Sequence, residues 1–147
     1  MEGLVRCAQP GDKQKLLSFL SKAGLETEGV EEYIDYFLVL EDEDSSIRAT
    51  LGIEPLGEVG LLRSLVMTSR TSEKDILIMF EQMLRLAREK ELQSLYLATN
   101  KEASLPFFRA LGFGKEEKGN LPKELSSSSH GKHLLTVDNS VFMVLNL

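Results

Sequence analysis

Two hydrophobic periods meet in this chain, and the switch between them is sharpest from Gly60 to Asn100, GLLRSLVMTSRTSEKDILIMFEQMLRLAREKELQSLYLATN. An apolar run, Leu61 to Met67, leads into the polar turn Thr68 to Asp75. Ile76, Met79, Phe80, Met83, Leu84 and Ala87 then fall on one stripe at helical spacing, which predicts a long amphipathic helix. Glu81 precedes Arg85 by one helical turn, and Arg88 and Lys90 close the last turn, where cations suit the helix dipole. Leu95 to Ala98 is a second apolar run. Strand, helix, strand in this order predicts a parallel pair with a right-handed crossover.

On either side the pattern is weaker. Leu4 to Gln9 alternates loosely and stops at Pro10-Gly11-Asp12, so a short strand is expected there. A helix begins near Asp12. Leu16, Leu17, Leu20 and Ala23 form its face, and Gly24 suits the position just past its end. Thr27 to Tyr33 reads as a second helical segment, with Val30 and Ile34 inward. Tyr36 to Leu40 and Ile47 to Ile53 are β-rich, and the acidic turn Glu41-Asp42-Glu43-Asp44-Ser45 between them predicts a hairpin. Gly57-Glu58 turns the chain into Val59 to Met67, a third antiparallel strand. After Asn100, Lys101 to Ala110 reads as a short helix limited by Pro106. Leu111-Gly112-Phe113-Gly114 opens a strand to Lys118, and Gly119 to Leu125 is a connection. Ser126 to Ser129 reads as a turn or flexible stretch, and Val141 to Leu147 is a final strand. The order β-α-α-β-β-β-α-β-α-β-β is that of an α/β domain with a mixed sheet. No repeat is visible, and the four serines are the only low-complexity segment.

Composition narrows the function classes. At 147 residues the chain is expected to be one domain, 1–147, with a substantial core. A net charge of −6 without a dense Lys/Arg run disfavours nucleic acid. No apolar stretch approaches the roughly 18–20 residues that cross a bilayer, and the N-terminus lacks a signal-peptide layout, so no membrane partner is expected. The one cysteine, Cys7, has no internal partner, and a reduced, cytoplasmic setting is expected. Cys7 itself is expected to be buried as a small apolar residue on its strand. The acidic turn lacks the spaced ligands and glycine of a calcium loop. His130 and His133 show no metal spacing and are expected in solvent. No metal is expected.

Several motifs recur together: Gly52-Ile53-Glu54, Leu62-Arg63-Ser64-Leu65-Val66, Leu95-Tyr96-Leu97-Ala98-Thr99, Phe107-Phe108 with Leu111-Gly112-Phe113, and Leu121-Pro122-Lys123-Glu124-Leu125 followed by serines. As a set they resemble the GNAT superfamily of acyl-CoA-dependent N-acetyltransferases. The similarity is greatest to the branch of N-acetylglutamate synthases and related amino-acid acetyltransferases. It covers nearly the whole chain, weakly before Ala49. The resemblance implies the GNAT-like acyl-CoA acyltransferase fold. That fold has a mixed six- to seven-stranded sheet, helices on both faces, and a central parallel pair splayed apart by a bulge in its first strand.

It also implies acetyl-CoA as cosubstrate. The pantetheine arm would pair with Leu65, Val66 and Met67 like an added strand. The pyrophosphate would meet the amides of Ser72, Glu73, Lys74, Asp75, Ile76 and Leu77 at the helix start, and Asn100 would bond the cofactor. The amide of Val66 would receive the developing oxyanion. Glu54 would accept the proton that an amine of pKa about 8–10 must lose. Arg63 and Ser64 would contact a carboxylate on the acceptor, though alternation sends one of them outward. Ser126 to Ser129 would close over the acceptor. The implied activity is transfer of an acetyl group to a small-molecule amine, such as an amino acid or analogue, by direct attack. A homodimer through the C-terminal strand is the one assembly considered.

The chain departs from the family at two points. The pyrophosphate loop Arg/Gln-x-x-Gly-x-Gly/Ala aligns with Ser72, Asp75 and Leu77, and none matches. A carboxylate at Asp75 some 4–6 Å from a phosphate would cost roughly 3–4 kcal/mol at an effective dielectric near 20. Lys74, Arg70, Thr71 and Ser72 would offset part of it. Ser72-Glu73-Lys74-Asp75 also has the form of a helix N-cap. The alternative reading is therefore a non-catalytic GNAT-fold protein that binds a small ligand or a protein partner, with CoA binding weakened. Second, Phe108 stands where many members carry an acidic tyrosine. A thiolate whose thiol has a pKa near 8.5 leaves without a strong acid, and both phenylalanines read as core.

Overall fold

Alternation along the strands sorts the helices onto two faces of one sheet. The computed structural model describes residues 4–68, 71–137 and 139–147. Its strands are β1 (Leu4–Cys7), β2 (Phe37–Glu41), β3 (Ile47–Leu56), β4 (Val59–Met67), β5 (Ser94–Thr99), β6 (Gly114–Glu116) and β7 (Val141–Asn146). They lie in the order β1-β2-β3-β4-β5-β7-β6. Neighbours are antiparallel except β4 and β5, which are parallel.

Leu38, Leu40, Leu95, Leu97 and Met143 point to one face. There α2 (Glu73–Glu89) and α3 (Leu105–Ala110) bury Met79, Phe80, Met83, Leu86, Ala87 and Phe108. Residues of opposite parity, Phe37 and Val39, meet Leu16 and Leu20 of α1 (Lys13–Lys22) on the other face. Leu61, Tyr96 and Phe142 meet Leu125 of α4 (Lys123–Ser127), with Leu134 of α5 (Ser129–Thr136) packed alongside. Each such buried side chain stabilises the fold by about 1.5–3 kcal/mol.

The helix ends follow from their residues. α1 stops where Gly24 takes φ +78°, which lets the Gly24 and Leu25 amides bond Ser21 O and Leu20 O, both at 3.0 Å. α2 stops in the same way at Glu91, with φ +60° and Leu92 N–H donating to Ala87 O at 3.1 Å.

Four sequence expectations are corrected. Residues 28–33 form turns, not a helix, because Gly29 sits at φ +81° in their midst; Val30 and Ile34 are buried nonetheless. The strand after Leu111 is confined to Gly114–Glu116, since Gly112 at φ +108° delays its start. The serine run is helical on both sides of Ser128, which caps α5 by accepting from Gly131 N–H at 2.8 Å. Cys7 is exposed at the end of edge strand β1.

β4 and β5 are in register over only three pairs: Val59–Ser94, Gly60–Leu95 and Leu61–Tyr96. Beyond Leu61 the two strands diverge. No helix among the described residues is long and apolar enough to cross a membrane. No group of three or more His, Cys, Asp or Glu among them could hold a metal ion.

Candidate active site

A bulge sets the geometry of the gap. Thr50 pairs with Val66 and Gly52 with Arg63, so Leu51 of β3 opposes both Ser64 and Leu65 of β4. Ser64 takes φ +56°, and its carbonyl accepts the Thr50 hydroxyl at 2.8 Å. The extra residue breaks the alternation that would have sent Arg63 or Ser64 outward. Both line the cavities, with Arg63 Nε 3.3 Å from Ser64 Oγ.

Backbone polarity follows from the register beyond the bulge. Thr68 N–H donates to Arg48 O at 3.1 Å. Hydrogen-bonded and non-bonded pairs alternate in an antiparallel ladder. The Val66 amide is therefore turned towards Thr50 of β3, and the amides of Leu65 and Met67 towards the gap. Leu65 and Met67 are 38% and 41% exposed, apolar residues that have β3 on one side and no paired strand on the β5 side.

Two cavities meet here. One, of about 530 Å³, lies between β4 and β5 and is lined by Leu62, Leu65, Met67, Leu97, Thr99 and Asn100, with Phe80 and Phe108 beneath. The other, of about 750 Å³, is lined by Glu26, Glu28, Tyr33, Glu54, Ser128 and His133. Leu25, Arg63, Ser64 and His130 border both.

Glu54, on β3, is 14% exposed at its side chain. Its Oε2 lies 3.6 Å from Arg63 Nη1 and 4.0 Å from His130 Nδ1. Glu54 Oε1 and His130 Nδ1 are both buried without a hydrogen-bond partner among the described residues. Arg63 is committed to the protein: it donates to Glu28 O at 2.9 Å and Glu26 O at 3.4 Å and stacks over Phe37. Burial pushes the His130 imidazolium pKa below its ordinary value, against a weaker opposing pull from Glu54. His130 was expected in solvent. Instead α5 turns it inward, at 30% side-chain exposure, while His133 is exposed.

The start of α2 is organised differently. Ser72 Oγ accepts from Asp75 N–H at 3.1 Å, and the Asp75 carboxylate accepts from Ser72 N–H at 3.2 Å, a complete capping box. The same carboxylate lies 3.4 Å from Arg48 Nη2, and Arg48 Nε lies 3.2 Å from Asp42. The Arg48 side chain is only 7% exposed. The hydroxyls of Thr68 and Thr71, beside this cap, are buried without partners among the described residues. Arg70 lies outside those residues.

No protein-family model matches the chain. It is 35% identical over 140 residues to the uncharacterized protein YwlB of Bacillus subtilis (strain 168), covering 95% of this chain and 94% of that one. The chain belongs to the YwlB family. Among solved structures, Rv2747 from Mycobacterium tuberculosis, in complex with CoA, aligns with TM-score 0.76 at 18% identity over 98% of this chain and 99% of that one. N-acetylglutamate synthase from Neisseria gonorrhoeae, complexed with coenzyme A and N-acetyl-glutamate, aligns with TM-score 0.75 at 16% identity. This chain is covered completely there but spans only 35% of the synthase. A GNAT-family acetyltransferase from Staphylococcus aureus aligns with TM-score 0.70 at 16% identity, over 99% of each chain. The YwlB-family chain thus has the GNAT fold, with the mixed seven-stranded sheet and central parallel pair expected of it.

Within this YwlB-family member, Val66 lines neither cavity and packs against the core around Leu16 and Phe37, and the other residues singled out in the sequence fall into two groups. Glu54, Arg63, Ser64, Leu65, Met67 and Asn100 border the two joined cavities. Ser72, Glu73, Lys74, Asp75, Ile76 and Leu77 form the cap and first turn of α2, which lie apart from the lining of both cavities, and Leu77 is exposed. His130 and Thr50 were not singled out. For His130 the available signal was Ser128 as an N-cap ahead of Leu134 and Leu135.

Proposed function

We propose that the chain is an acetyl-CoA-dependent N-acetyltransferase acting on a small amine. The observation that carries this reading is the gap beyond Leu61. There a bulge at Ser64 turns backbone amides of β4 into a cavity that joins a second cavity containing Glu54. An extended pantetheine arm suits the unpaired amides of Leu65 and Met67 as an added strand. Two fold neighbours, Rv2747 and the N-acetylglutamate synthase, are complexed with CoA, which supports the same ligand. Bound there, acetyl-CoA supplies the activated acetyl group.

The chain's own residues do the rest. Arg63 and the bulge hold the junction of the cavities, so that an amine lying against Glu54 faces the gap. A gap-side amide, from Leu65 or Met67 rather than Val66, is the oxyanion donor. The pyrophosphate end fits less well. Asp75 occupies the anion-favouring start of α2 with its own carboxylate, whereas the hydroxyls of Thr68 and Thr71, without partners among the described residues, favour an anion beside it. That occupancy supports the second reading, a non-catalytic member of the fold with weakened CoA binding.

Calorimetric titration with acetyl-CoA separates the two. The transferase reading expects micromolar affinity. A dissociation constant above about 1 mM removes it. Asp75→Gly with Leu77→Gly should tighten binding about tenfold if the pyrophosphate meets α2, and leave it unchanged if it lies elsewhere.

A further inference from the structure

His130 carries a feature that the transferase reading does not use. Its Nδ1 and Glu54 Oε1 are buried polar atoms without hydrogen-bond partners among the described residues, and Nδ1 lies 4.0 Å from Glu54 Oε2. With the imidazole as its Nε2–H tautomer both atoms are acceptors, and buried acceptors are costly unless a donor reaches them. A metal ion is a poor candidate, since no metal-holding cluster exists among the described residues. Arg63 is held on Glu54 Oε2 and two carbonyls, and it makes no hydrogen bond to either free atom. A small donor with several N–H bonds and positive charge suits both atoms. Glu26 and Glu28 stand on the exposed rim of the same cavity, a field that draws in cations and turns away carboxylates.

We propose that Glu54 and His130 together form an ammonium seat, which takes the acceptor as a primary ammonium ion and releases it as the free amine by proton transfer to His130. The inference deepens the transferase reading and rests on it for the fate of that amine. In the seat, one N–H of the ammonium donates to Glu54 Oε1 and another to His130 Nδ1, with the imidazole as its Nε2–H tautomer. Transfer breaks the second N–H bond. Its electron pair stays on the substrate nitrogen, the proton bonds to Nδ1, and a neutral amine and an imidazolium result. Glu54 then faces the imidazolium and stabilises it. The charged groups around His130 are Glu54 on β3, Arg63 on β4, His133 on α5 and Glu26 after α1. Burial keeps the imidazole neutral near pH 7, the form that accepts a proton.

The chain has two histidines, so imidazole NMR signals are assigned with a single variant, His133→Gln. Titration with n-butylamine hydrochloride should shift the His130 signals saturably, while sodium butyrate leaves them in place. Glu54→Gln should weaken butylamine binding at least tenfold. A His130 signal indifferent to butylamine, or a response unchanged in Glu54→Gln, overturns the seat. These readouts need no acetyl-CoA, so they decide the seat even where acetyl-CoA fails to bind and the transferase reading falls. Where acetyl transfer to butylamine is measured by thiol release, His130→Gln should lower kcat about 10²–10⁴-fold. It should also remove the acid limb of the pH profile and leave acetyl-CoA affinity intact. A lowered kcat with the acid limb unmoved overturns the proton-transfer role.

Discussion

Two arginine–carboxylate pairs flank the gap between β4 and β5, and they are finished to different degrees. At the start of α2, Arg48 joins Asp75 and Asp42, and Asp75 also closes the capping box with Ser72. At the second cavity, Arg63 meets one oxygen of Glu54, and neither the other oxygen nor His130 Nδ1 has a hydrogen-bond partner among the described residues. In the first arrangement the Asp75 carboxylate has both a cation and an amide donor within the chain, although Arg48 Nε makes no hydrogen bond among the described residues. The second pairs its carboxylate with an arginine through one oxygen only. The difference lies in the carboxylates: Asp75 accepts from the Ser72 amide as well as meeting its arginine, whereas Glu54 Oε1 has no hydrogen-bond partner among the described residues.

The closed pair should be the costlier to break. Arg48→Met leaves Asp42 and Asp75 as buried charges without their cation, and urea unfolding should show a loss of about 3–5 kcal/mol. A loss under 1 kcal/mol would mean the cluster is solvated and the contrast false. The open pair is most sensitive through its support. A Cβ on Gly131 would lie 1.8 Å from Leu125 O, so Gly131→Ala must move α5 away from α4. We expect about 2–3 kcal/mol of destabilisation, with His130 displaced and the butylamine response gone.

A third cluster serves as a calibrant far from any ligand. Arg6 pairs with both Asp12 and Glu41 at 2.7 and 2.9 Å and holds the Asp12 pKa down to about 2. A depressed carboxylate pKa stabilises the fold above the unfolded value near 4, and that contribution fades as pH falls towards 2. Arg6→Ala should therefore cost about 1–2 kcal/mol at pH 7 and progressively less below pH 4. A cost that stays constant with pH would assign it to packing. The smallest effect is expected from Glu54→Gln. It removes a charge whose Oε1 has no hydrogen-bond partner among the described residues and leaves Arg63 its two carbonyl acceptors, so stability should change by less than about 1 kcal/mol, unlike Asp75→Ala, which loses the carboxylate half of the capping box.

Much of the architecture was legible because it depends on local periodicity. Val59 to Met67 was bounded correctly, and the α2 stripe was read correctly except for Leu86. The Ser72–Asp75 cap could be read because both partners lie within one turn. What stayed hidden depends on distant partners or on single backbone dihedrals. Residues 27 to 33 have helical apolar spacing, but Gly29 takes a left-handed conformation that spacing does not encode. The serine run conceals a helix whose apolar positions, Leu134 and Leu135, come late. With that helix unread, His130 could not be placed opposite Glu54, which lies far away in sequence. Arg63 and Ser64 reach the same cavities only through a bulge, a one-residue slip invisible to alternation.

The three-pair register of β4 and β5 has one further consequence. Beyond Leu61 the sheet carries two strand edges in its interior, and one of them presents Leu65 and Met67 rather than the charges that normally guard an edge. An extended ligand there would act as a removable strand and cover that edge. The ligand-free chain should then be the form prone to edge-to-edge association, and ligand supply would set its solubility as well as its activity.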